Sequence, residues 1–184
     1  MNAGAARAST SSRSPSHFEL FGLAPAFALD RQALERSYRE IQSRVHPDRF
    51  ASAGDAERRA SLQWTTRVNE AYRVLTDPVQ RAKHILELHG VDVAFETNTQ
   101  MPTDFLMQQL ELREELEGAV AGKDAAALDG LRAGLSKSKA LLENEIAEAI
   151  DARKDYAGAA DLVRKLMFLD RLDQEVGAAY EEVE

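Results

Sequence analysis

Apolar residues along this chain recur at three- and four-residue spacing and nowhere alternate, so the pattern predicts helices throughout and an all-α protein. "HFELFGL", His17 to Leu23, gives a short first helix that carries Phe18 and Phe21 and is ended by Gly22 and Pro25. Asp30 can cap a second helix, in which Leu34, Tyr38, Ile41 and Val45 share one face and which must stop before Pro47. Asp55 can cap a third, reaching Leu75, with Leu62, Trp64, Val68, Ala71, Tyr72 and Leu75 as its apolar stripe and Pro78 as its stop. The second and third helices then run antiparallel around a tight loop. "VQRAKHILELHG" supplies a short fourth helix ending at Gly90.

Residues 91–104 read as a linker, with Pro102 as a start signal for the next helix. Three more helices are expected, over Thr103 to Ala121, Ala125 to Ile150 and Tyr156 to about Glu182, with Gly122, Asp151 and Gly158 near the breaks. Such short connections imply antiparallel neighbours, hence a three-helix bundle over 105–184. The other helices form an N-terminal domain over 17–90. Residues 1–16 are rich in Ala, Ser and Arg, lack the apolar stretch of a secretory signal, and read as a flexible tail; a transit-peptide reading is weakened by the lack of bulky apolar residues.

Composition narrows the function. With 44% hydrophobic and 29% charged residues, the 184-residue chain has the balance of a soluble globular protein, and with Cys 0 it can build neither a disulfide framework nor a thiolate metal site. No apolar run approaches the roughly 18 residues of a membrane span, so no membrane role and a cytoplasmic location are expected. Residues 17–91 hold eleven Lys and Arg against ten Asp and Glu, whereas residues 92–184 hold ten against twenty-one. An acidic second half argues against nucleic acid there and suits a protein partner with basic patches or a metal-bearing one.

Two stretches carry candidate chemistry. In "RVHPDRF", Pro47 fixes its own φ and removes a backbone donor, so His46 and Asp48 are presented at the tip of a helical hairpin. Arg36, Arg39 and Arg44 lie off the apolar stripe of the second helix and make a basic surface leading to that tip, the kind an acidic partner would meet. In "DFLMQQLELREELEG", Phe105, Leu112 and Leu116 share a core-facing arc, while Leu106, Met107 and Leu110 fall on a second arc flanked by Glu111 and Glu114. Phe168 in "KLMFLDRL" projects off the Leu162, Leu166, Leu169, Val176 and Tyr180 face of the last helix and is a candidate interface anchor. Periodicity leaves two readings of these patches open: a docking face, or an intramolecular core in which they pack on each other or against the N-terminal domain. The chain shows no phosphate-binding glycine loop and no nucleophile elbow, and His84 and His89, five apart, diverge on a helix, so neither a metal nor a cofactor is expected.

"YREIQSRVHPDRF", preceded by "HFELFGL" and followed by "RVNEAYRVLTDPVQRAKHILEL", resembles a J domain, the module by which DnaJ-type co-chaperones engage a DnaK-type chaperone ATPase. The resemblance implies that His46, Pro47 and Asp48, with Arg39 and Arg44, bind the chaperone and accelerate ATP hydrolysis there, the chain itself being no enzyme. "FLMQQLELREELE" and "AADLVRKLMFLDRL" are similar to the C-terminal domain of the HscB family of iron–sulfur co-chaperones. That similarity implies an IscU-type scaffold partner, an HscA-type chaperone, and a scaffold-binding patch at Leu106, Met107, Leu110, Glu111, Glu114 and Phe168. One acidic position of the family's patch falls on Gly118 here. A tail without the cysteine zinc module of many eukaryotic relatives implies a bacterial-type cytoplasmic protein, monomeric or weakly self-associating. Two rival classes are a general J-domain co-chaperone serving DnaK with other clients, and a purely structural helical protein with no chaperone contact.

Overall fold

The structure is a computed structural model that describes residues 15–45, 49, 54–93 and 101–183. Among the described residues the regular structure is helical, without a strand: α1 His17–Leu20, α2 Arg31–Val45, α3 Asp55–Thr76, α4 Pro78–Leu88, α5 Thr103–Ala121, α6 Ala125–Ala147 and α7 Tyr156–Val183. The all-α expectation and nearly all of the predicted spans hold.

The described residues up to Ala24, together with those of Gln32–Tyr72, form one compact unit. It opens with a capping box at α1: the Ser16 hydroxyl accepts from the Glu19 N–H at 3.3 Å and the Glu19 carboxylate accepts from the Ser16 N–H at 2.6 Å. Phe18, Phe21, Leu34, Val68 and Ala71 are its buried apolar side chains. The Tyr38 ring stacks on Tyr72 at 4.1 Å between centroids, and the Tyr38 hydroxyl donates to Asn69 at 3.0 Å, which ties α2 to α3.

The stripe expected on α3 is corrected at its N-terminal end. Leu62 and Trp64 are 54% and 46% exposed, and Ser61 is buried instead. The cause lies at the end of α2, whose last carbonyls have no partner within the helix. The Ser61 and Thr65 hydroxyls both donate to the Val45 carbonyl, at 2.6 and 3.1 Å, so small polar residues take the contact that hydrophobicity assigned to their larger neighbours.

Pro25–Arg31 and the chain from Arg73 onward form the second unit. Packing thus groups α4 with the last three helices, whereas the helical pattern suggests a division within 91–104. The bundle core contains Leu128, Leu135, Leu169, Leu172 and Val176, with Leu112 and Leu116 of α5 packed on it as expected. Instead of one helix to Ile150, α6 passes at Ala147 into a π-helical turn, Glu148–Arg153, closed by Lys154 in the left-handed conformation at φ 56°. Asp151 sits in that wider turn, not at a break, and its carboxylate accepts from the Phe27 and Ala28 N–H groups, each at 2.8 Å. Arg81 of α4 is buried beside the same segment, donating to the Phe27 carbonyl at 2.9 Å and the Leu75 carbonyl at 2.6 Å, with its guanidinium 4.9 Å from the Phe27 ring centre. Burial, with the nearby Arg31 charge, lowers the Arg81 pKa from its ordinary value, and the two carbonyls stand in for the lost water.

Candidate partner-binding sites

His46, Pro47 and Asp48 lie outside the described residues. The helix that leads to them is described, and it qualifies the expected basic surface. Arg39 and Arg44 are exposed, and each pairs with a glutamate one turn back, Glu35 and Glu40. Four arginines on α2 therefore face two glutamates along the same helix. Exposed pairs at this spacing are worth about 0.3–0.5 kcal/mol, weak enough for a partner's carboxylates to displace them. Arg49 donates to the Ser43 carbonyl at 2.9 Å.

On α5 the two predicted arcs separate as the wheel requires. Phe105 is buried, while Leu106, Met107 and Leu110 are 47%, 59% and 58% exposed, among the largest exposed apolar side chains of the described residues. Glu111 and Glu114 beside them are exposed and form no ion pair among the described residues. An apolar strip with unpaired carboxylates on its flank is the arrangement expected of a docking face, and a reading of these three apolar residues as internal core does not fit their exposure. At Gly118 a side chain would meet open space, so the missing acid leaves a gap in charge and not in shape.

Phe168 departs from the outlying position expected of it. It is half-buried against the bundle core, its ring edge-on to Phe105 at 5.8 Å and 80°. The Arg113 guanidinium lies 5.7 Å from the centre of the same ring and 3.8 Å from Glu175. Phe168 is thus gripped at the α5–α7 seam, next to the exposed strip. Arg113 was invisible to a search for apolar anchors, though it stands seven residues, two helical turns, after Leu106 and so above it on the same face. No group of three or more His, Asp or Glu side chains is placed to hold a metal ion among the described residues.

Comparison with known proteins matches this architecture. A family model described as the HSCB C-terminal oligomerisation domain matches residues 101–177, which span α5, α6 and most of α7. The co-chaperone protein HscB homologue of Burkholderia vietnamiensis is 51% identical over 169 residues, covering 92% of this chain and 96% of that protein. The chain belongs to the HscB co-chaperone family. A second HscB homologue, from Burkholderia cenocepacia, is 50% identical over the same shares of the two chains. Among solved structures, the chaperone HscB from Vibrio cholerae superposes with a TM-score of 0.79 at 34% identity, over 92% of this chain and 100% of that one. The human co-chaperone HscB, at 24% identity and a TM-score of 0.84 over 90% of this chain and 82% of its own, shares the fold. The HscB fold carries an N-terminal J domain and a C-terminal helical bundle, as the sequence implied.

Proposed function

We propose that this HscB-family protein holds an IscU-type iron–sulfur scaffold on the α5–α7 patch and brings it to an HscA- or DnaK-type chaperone, whose ATP hydrolysis its His46-Pro47-Asp48 loop stimulates. The observation that carries this reading is the exposed strip of Leu106, Met107 and Leu110 with Glu111 and Glu114 unpaired beside it, in a chain of this family. Leu106, Met107, Leu110 and Phe168 would supply the apolar contact, and the two glutamates would meet basic groups on the scaffold. On the other unit, Arg39 and Arg44 would exchange their helix-internal glutamates for carboxylates of the chaperone. The chain performs no chemistry of its own in this scheme. Locking of the chaperone on the scaffold promotes release of the cluster.

Bacterial relatives, and the absence among the described residues of any helix long and apolar enough to cross a membrane, support a bacterial-type protein acting in the cytoplasm. The test is the steady-state ATPase of a purified HscA-type chaperone, titrated with this protein and an IscU-type scaffold separately and together. Stimulation by the protein, raised further by the scaffold, is expected. Stimulation indifferent to scaffold would instead identify a general DnaK co-chaperone, and no stimulation at all would remove the co-chaperone mechanism.

A further inference from the structure

We infer that the apolar strip on α5 carries a cationic border on its α7 side, formed by Arg113 and Lys165, and that this border fixes the orientation in which a scaffold protein docks. The inference rests on the scaffold-binding reading above and adds to it the charge pattern the partner must have. Around α5, counted from the buried Phe105 at about 100° per residue, Arg113 falls near 80°, Leu106 and Leu110 near 100° and 140°, and Glu114, Met107 and Glu111 between about 180° and 240°. Glu117, exposed and one turn past Arg113, falls near 120°, so the Arg113 edge carries a base with one acid beyond it and the opposite edge carries acids alone. Contacts across the seam agree: Arg113 lies on the side of Phe168 and Glu175, both on α7.

Three observations make this edge positive. Arg113 is the single basic residue of α5, and its side chain is 48% exposed. Glu175, its one carboxylate partner among the described residues, is shared with Arg171 at 3.4 Å, so two guanidiniums face one negative charge there. Lys165 lies further along the seam, its ammonium 5.6 Å from the Phe105 ring centre, and makes no carboxylate ion pair among the described residues. It lines an open cavity of about 380 Å³ with Met101, Pro102 and Asp161, and that aspartate is already paired with the buried Arg164. Each of the two phenyl rings that floor the seam is thus faced by a cation that also reaches solvent.

A partner seated on Leu106 and Leu110 lies between opposite charges. Its matching surface is an apolar ridge with basic groups toward Glu111 and Glu114 and acidic groups toward Arg113 and Lys165. Turned end for end across the strip, the same partner would set like charges together on both edges.

Calorimetric titration of the full chain with a purified IscU-type scaffold, at low and at high ionic strength, tests this. The pair Arg113→Gln with Lys165→Gln is expected to weaken binding about fivefold and to flatten its salt dependence, and Arg113→Glu with Lys165→Glu to weaken it more than about thirtyfold. Arg113→Lys, which keeps the charge, should restore most of the affinity. If the glutamine pair binds as tightly as the unaltered protein, or more tightly, the cations merely cover the rings and the inference is wrong. Leu110→Ala, measured alongside, separates the two readings. A loss there with none in the glutamine pair overturns the cationic border alone. No loss there, or no binding by the unaltered protein, overturns the scaffold site itself and the border with it. Circular dichroism melts confirm that each variant is folded.

Discussion

Helices α2 and α5 both display charge to solvent, and they arrange it oppositely. On α2, Arg39 and Arg44 are matched by Glu35 and Glu40 one turn away, so these two charges are neutralised within the helix, while Arg31 and Arg36 leave it net basic. On α5, Glu111 and Glu114 are left without ion pairs among the described residues, beside apolar side chains that are themselves about half exposed. A self-paired face supports the helix and gives a partner little until the pairs are exchanged. The acidic edge next to exposed leucines adds no ion pair to the free chain among the described residues, and under the proposed function it would act in a complex. In the proposed scheme the second helix would make a transient contact and the fifth a specific, held one.

The sharpest way to break that comparison is at the loop following α2. If the α2 surface serves only to approach the chaperone while the loop acts on it, Asp48→Asn and His46→Gln should each reduce ATPase stimulation by at least about tenfold, since buried charged contacts with a partner are costly to lose. Scaffold affinity, measured by calorimetry on the same preparations, should stay within twofold of the unaltered protein, given the general additivity of distant sites. Stimulation at the ordinary level by either variant would remove the loop from the mechanism. On α5 the apolar residues should dominate: Leu106→Ala, Leu110→Ala and Phe168→Ala are each expected to weaken scaffold binding by about 1–3 kcal/mol. Phe168→Ala should also lower the melting temperature, because that ring packs on the bundle core, whereas the two leucine changes should not.

A smaller effect sharpens the contrast in charge itself. Glu35→Gln with Glu40→Gln releases the α2 arginines from their partners and should tighten chaperone binding by under about 1 kcal/mol. Glu111→Gln with Glu114→Gln removes charges that have nothing to release and should weaken scaffold binding by a similar amount, most visibly at low salt. Surface plasmon resonance at two ionic strengths reads both. Equal signs for the two pairs would show that the helices do not differ in the way their ion pairs suggest.

Much of this was legible in the sequence because it depends on local rules. Helix spans follow from periodicity, proline and glycine, and the exposure of Leu106, Met107 and Leu110 follows from their angle to Phe105. What the sequence hid depends on partners far along the chain. Ser61 turns inward because Val45 needs a donor, and Arg81 is buried because Phe27 and Leu75 offer it carbonyls. Asp151 looked like a helix breaker, yet it accepts two backbone N–H groups from a segment more than a hundred residues earlier. Phe168 was placed off its helix face by counting along α7 alone, and only the approach of Phe105 from α5 shows that it is held.

A third arrangement of charge lies between those of α2 and α5 and should give the smallest effect. Lys139 of α6 is largely buried and donates to Asp170 at 2.7 Å and Asp173 at 3.0 Å, so it is neither self-paired along one helix nor free. Burial pulls its pKa down, but hydrogen bonds and charge from both aspartates more than offset this, and the pKa lies above lysine's ordinary value. A group whose pKa is raised on folding contributes stability that is fully present below its unfolded pKa, about 10.4, and is lost as pH rises through the folded value. The stability that Lys139 contributes should therefore be constant at neutral pH and fall away above about pH 10.4. Compared with Lys139→Met, the unaltered protein should lose more of its melting temperature between about pH 9 and pH 11.5, by the equivalent of no more than about 1 kcal/mol after solvent screening of the half-exposed aspartates. Parallel alkaline slopes for the two proteins would mean that the bridge joins α6 to α7 in geometry without contributing to stability.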